Sequence, residues 1–104
     1  MNEFGIPEYV MAKMLDVFES SKKIERAVLF GSRAKNIHST KSDVDIALFG
    51  SLTSLETEEV LCKLDELPSA LTFDVLAYGN IKNPLLSEHI GRVGIVLYEQ
   101  ERME

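Results

Sequence analysis

Two short apolar runs, RAVLF at residues 26–30 and DVDIALF at 43–49, enclose the polar stretch GSRAKNIHSTKS. Runs this short, rich in Val, Leu and Ile and each closed by a glycine, read as buried strands rather than helices. The second run opens on two carboxylates, Asp43 and Asp45, which an apolar strand cannot hold without compensation. Side chains alternate along a strand, so the two acids share a face, about 6.5–7 Å apart between Cα atoms at a rise of about 3.3 Å per residue. Val44, Ile46 and Leu48 then point the other way, into a core.

The rest of the chain alternates helix and strand signals. Val10, Met11, Met14, Leu15 and Phe18 recur at helical spacing after Pro7, a residue tolerated in a first turn, and predict a helix from about Pro7 to Ser21. The methionines read as core packing. A short helix over Ser32–Asn36 and a loop over residues 37–42 follow the first strand. Thr53 and Glu56 match a capping box and start a helix whose apolar face is Val60, Leu61, Leu64 and Leu67, ended by Pro68. LTFDVLAY (71–78) predicts a third strand, NPLLSEHIGR (83–92) a last helix and GIVLY (94–98) a fourth strand, with a fraying EQERME tail. Helices interleaved with strands give an α/β-type layered domain. Strands apolar on both faces need cover on both sides, or on one side plus a partner. Strand order is not readable.

Size and charge narrow the function classes. A chain of 104 residues builds one core, so residues 1–104 are expected to form a single domain. With 45% hydrophobic and 27% charged residues it is an ordinary globular composition. No apolar run approaches the roughly 18 residues of a membrane span, and the N-terminus lacks a signal-peptide pattern. The lone cysteine, Cys62, makes no internal disulfide and suits a reducing cytoplasm. A net charge of −6 argues against nucleic-acid binding by this chain alone. It does not argue against a nucleotide delivered with Mg²⁺, because acids bind Mg²⁺.

The candidate chemistry gathers around the acids. Asp74, inside the third apolar run, is as misplaced as Asp43 and Asp45. If its strand neighbours theirs, the three carboxylates repel one another unless a cation intervenes. Oxygen-only ligands favour Mg²⁺ or Mn²⁺ over zinc. Gly31 permits a sharp turn, and Ser32 would open a helix whose N-terminus favours phosphate, with Arg33 and Lys35 adding positive charge. Taken singly, each feature has an ordinary explanation: a turn, a solvated cap, surface charges. The ordered combination is what points to chemistry. The chain lacks a P-loop, an EF-hand glycine and distal glutamate, and any ligand at zinc spacing from His38 or His89. Tyr9, Tyr78 and Tyr98 have no basic surroundings that would make a nucleic-acid platform.

GSRAKN…SDVDIALF, with a further Asp on a later strand, resembles the signature of the DNA polymerase beta-like nucleotidyltransferase superfamily, in particular its minimal nucleotidyltransferases. The resemblance implies an α+β nucleotidyltransferase fold, a small mixed sheet of about four strands flanked by helices. It implies that Asp43, Asp45 and Asp74 hold two Mg²⁺ ions and that Gly31 and Ser32 hold the ATP phosphates, supported by Arg33. It further implies transfer of AMP from ATP to a hydroxyl. Minimal members are commonly antitoxin partners of small helical HEPN-type toxins, so the expected acceptor is a tyrosine of such a partner. The alternatives are a binding antitoxin that masks the toxin and, third, a small-molecule transferase. Asn36 stands where the family often has glycine. Asparagine tolerates a left-handed backbone better than most residues, so the change is mild.

Overall fold

The computed structural model describes residues 4–37, 39 and 41–101. Helix α1 (Glu8–Glu19) begins directly after Pro7, whose missing N–H costs nothing at a helix start. Its buried face is Val10, Met14 and Phe18, the i, i+4, i+8 stripe expected from the sequence. Strands β1 (Ile24–Phe30) and β2 (Val44–Gly50) follow. Helix α2 (Ser54–Asp65) starts with the expected capping box: Thr53 Oγ1 accepts from the Glu56 amide and Glu56 Oε1 accepts from the Thr53 amide. Strand β3 (Phe73–Ala77) leads through a short 3₁₀ turn at Tyr78–Asn80 to α3 (Pro84–Val93), where the Asn83 side chain accepts from the Leu85 amide. Strand β4 (Ile95–Glu99) closes the sheet.

The sheet order is β3-β2-β1-β4. β1 pairs antiparallel with β2 and with β4, whereas β2 and β3 run parallel, joined by α2 as crossover. The α+β reading with a mixed four-stranded sheet therefore holds. Strand alternation sorts the side chains cleanly. Ala27, Leu29, Val44, Ile46, Leu48 and Phe73 face α1 and α2 and form the main core with Val10, Met14, Phe18, Val60 and Leu64. Val28, Phe30 and Ala47 face the other way and meet Ile90 of α3. Fully burying a side chain of this size contributes about 1.5–3 kcal/mol, so the first cluster dominates stability.

Both sheet faces are thus covered, but unequally. On the α3 face Phe49, Leu76, Tyr78, Ile81 and Leu86 are only partly buried. Phe49 stacks on Tyr78 with ring centroids 4.2 Å apart, and the Arg26 guanidinium lies 4.5 Å from the Phe49 centroid. The asymmetry leaves part of this face open, and it is the face to which Asp45 and Asp74 belong.

Three local expectations change. Residues 32–36 form a hydrogen-bonded turn rather than a helix: Lys35 donates to the Gly31 carbonyl, Asn36 to Arg33 and Ile37 to Ser32. β2 begins at Val44, so Asp43 stands just before the strand instead of inside it. The tail is tied at its start, because the Gln100 amide donates to the Glu25 carbonyl and Gln100 Nε2 to the Lys22 carbonyl. His38 and residues 102–104 lie outside the described residues.

Candidate active site

Sheet topology brings the acids together. Parallel pairing sets Asp45 directly opposite Asp74, and antiparallel pairing sets Asp45 opposite Phe30, the last residue of β1. The entry to β2, the entry to β3 and the exit of β1 therefore share one end of the sheet. Asp43 precedes β2 at that end. Val44 donates to the Thr72 carbonyl at 2.8 Å, which continues the β2–β3 pairing up to the acids. Asp43 and Asp74 are exposed and Asp45 is half-buried.

Asp45 is the most buried of the three. Burial, then Asp74, then Asp43 push its pKa up, and Arg33 opposes them. Among the described residues, no group of three or more His, Cys, Asp or Glu side chains is drawn together as a ready-made metal site. The donor set is oxygen-only, on adjacent strands and partly desolvated, which suits a hard divalent cation able to pull the carboxylates inward.

Gly31 forms the opposite wall. Its φ of +76° lies in the left-handed region. A Cβ built there would overlap Asp45 Oδ2 and lie 3.1 Å from Asp45 Cγ. Glycine is therefore required twice, for the turn and for the close approach of the Asp45 carboxylate. Ser32 is half-buried beside it. Among the described residues, no backbone acceptor takes the amides of Ser32, Arg33 or Ala34. Successive amides left open in a turn are the donors that an anion site of the nest type requires. Asn36 closes the turn at φ 59°, the left-handed conformation for which asparagine substitutes best.

Arg33 is placed differently from the sequence expectation. It is only 1% exposed, and its guanidinium points inward. Nε and Nη2 donate to the Ser42 carbonyl at 3.1 and 2.8 Å, and Nη1 donates to the carbonyls of Phe4 and Gly5 at 2.8 and 3.2 Å. Burial pulls its pKa below the ordinary value, opposed by Asp43 and Asp45. Lys35, by contrast, is exposed as expected. Composition gives no sign that one arginine in a polar loop would be buried. The only hint is its position directly after the Gly-Ser turn.

A parallel β2–β3 pair crossed over by α2, next to an antiparallel β1, gives a nucleotidyltransferase-type fold, with the acids and the Gly-Ser turn at one end of its sheet. Residues 12–103 match the family described as Polymerase beta, Nucleotidyltransferase, and the chain belongs to that family. Solved structures with the same fold include a toxin–antitoxin with AMP-PNP (TM-score 0.71, 21% identity, 92% of this chain and 76% of that one). An MntA–HepT toxin–antitoxin matches at TM-score 0.68 and 18% identity, over 90% of this chain and 74% of the other. A third is a complex of tri-AMPylated Shewanella oneidensis HEPN toxin with MNT antitoxin (TM-score 0.67, 19% identity, 89% and 72% covered). At these identities the likeness is one of fold. No curated protein matches the sequence. No helix of the described residues is long and apolar enough to cross a membrane.

Proposed function

We propose that this chain is a Mg²⁺-dependent nucleotidyltransferase that moves AMP from ATP to a hydroxyl, with a tyrosine of a HEPN-type partner toxin as acceptor. The observation that carries the proposal is the register Asp45↔Asp74 beside Gly31, which gathers misplaced acids and a glycine turn at one end of one sheet face. The toxin–antitoxin neighbours, one with AMP-PNP and one with an AMPylated toxin, support the nucleotide and the acceptor class.

In this reading the amides and hydroxyl of the Gly31-Ser32 turn hydrogen-bond the phosphate tail of ATP. Asp43, Asp45 and Asp74 would hold the divalent ions. Bound there, Mg²⁺ neutralises phosphate charge and lowers the pKa of the attacking hydroxyl. The hydroxyl oxygen attacks the α-phosphorus in line, the bond from the α-phosphorus to its bridging oxygen breaks, and pyrophosphate leaves. A carboxylate oxygen of Asp74, the most accessible position on β3, takes the proton. The test is incubation of the chain with ATP, Mg²⁺ and a HEPN-type partner protein. A mass gain of AMP on a partner tyrosine is expected. An unmodified partner, under conditions where ATP binds, refutes the proposal.

The second reading is a binding antitoxin that masks the toxin without chemistry, which the toxin–antitoxin neighbours would equally accommodate. The double variant Asp43→Asn, Asp45→Asn separates the two. Protection of cells by the double variant at ordinary expression supports masking, and its loss supports catalysis.

A further inference from the structure

We propose that Arg33 is a positioning residue: its buried guanidinium clamps the segment at residues 4–5 and the Ser42 carbonyl to the turn after β1, and thereby fixes the approach of Asp43 and Asp45. The inference rests on the transfer reading of the acids given above. Four hydrogen bonds to three main-chain carbonyls occupy the Arg33 fork. Those carbonyls lie 28–29 residues before and nine residues after Arg33 in the chain, so the side chain joins segments that sequence alone keeps apart.

Asp43 sits between two fixed points. On one side, Ser42 is held three times. Its carbonyl takes Arg33 Nε and Nη2, its Oγ takes the Ser39 amide at 2.9 Å, and its own amide donates to the Ser39 carbonyl at 3.1 Å. On the other side, the Val44 amide is held by the Thr72 carbonyl of the chain entering β3. The carboxylate between them inherits its position from both anchors. The same guanidinium lies within Coulombic reach of Asp43 and Asp45 and eases their repulsion. A lysine could supply the charge but not the planar fork that reaches carbonyls in two directions.

This assignment opposes a direct phosphate contact by Arg33, and kinetics distinguishes the two. Arg33→Lys is compared with the wild-type chain in AMP transfer to the partner and in hydrogen exchange by mass spectrometry. The clamp predicts a fall in kcat of about 10²-fold, the order expected for a misplacement near 1 Å, with KM for ATP within about twofold. It also predicts faster exchange in the peptides covering residues 4–6 and 39–46 together, with α2 unchanged. A raised KM with unchanged kcat would establish phosphate contact and overturn the proposal. So would unaltered exchange in either segment, or a lowered melting temperature with full kcat. If Arg33→Lys does not fold at the assay temperature, Arg33→Ala is assayed with added methylguanidinium. Restoration of kcat and of protection in both segments supports the clamp, and restoration of neither overturns it. If the wild-type chain transfers no AMP, the transfer reading fails, while the exchange comparison still decides whether Arg33 clamps the two segments.

Discussion

Replacing Gly31 with alanine separates the stability role of this glycine from its role at the acids. At φ +76° an alanine backbone costs about 1–2 kcal/mol relative to glycine. The added Cβ overlaps Asp45 Oδ2, which is the far end of a rotatable side chain, so the carboxylate swings away and adds little to the cost. In a domain of this size 1 kcal/mol lowers the melting temperature by roughly 4–8 °C. The chemical consequence is larger, because the atom displaced is the carboxylate opposite Asp74. A shift near 1 Å is expected to reduce kcat on the order of 10²-fold. Gly79→Ala, where an added Cβ meets nothing within 4 Å, is the control and should change neither quantity. Melting by circular dichroism and AMP transfer are measured on both variants at a temperature where both are folded. If Gly31→Ala loses no more activity than its unfolded fraction explains, the contact between Gly31 and Asp45 does not place the carboxylate and the reasoning fails.

Further expectations concern stability. Because Asp45 has a raised pKa, the native chain retains a proton that the unfolded chain releases, and stability falls as pH rises from the ordinary aspartate range through the raised value. Asp45→Asn removes that slope and melts higher than wild type at neutral pH without divalent ions, as a series of melts across pH would show. Glu56 is the opposite case, held at about 2 first by its hydrogen bond from Lys23 and then by the Thr53 amide. Its stabilisation is complete above the ordinary value of 4.5 and disappears as pH falls through about 2. The melting difference between wild type and Glu56→Gln should follow that curve. Gly91 lies in α3 with open space where a Cβ would stand, so Gly91→Ala should stabilise the chain by up to about 1 kcal/mol in denaturant titration.

Local chemistry made much of this molecule legible beforehand. The 3.6-residue stripe of α1, the Thr53–Glu56 box and the apolar runs of β1 and β2 each encode their element within a few residues. The candidate site stood out for a different reason: Asp45 and Asp74 violate the apolar pattern of their strands, and the parallel register sets them opposite each other. What was not legible depends on contacts distant in sequence. The parallel pairing of β2 with β3, which makes Asp45 face Asp74, cannot be deduced from periodicity. Residues 32–36 satisfy a helical pattern but are too few to repay nucleation, so they stop at one turn. Arg33 has the same composition signal as exposed Lys35, and only the carbonyls of Phe4, Gly5 and Ser42 make its burial tolerable.

Paramagnetic broadening by Mn²⁺ tests the gathered carboxylates most directly. In protein labelled at its aspartate side chains, sub-stoichiometric Mn²⁺ should broaden the carboxylate resonances of Asp43, Asp45 and Asp74 together, ahead of exposed acids such as Asp16 and Asp65. Broadening that spares Asp74, or that spreads evenly over all the aspartates, would contradict a shared divalent-cation site.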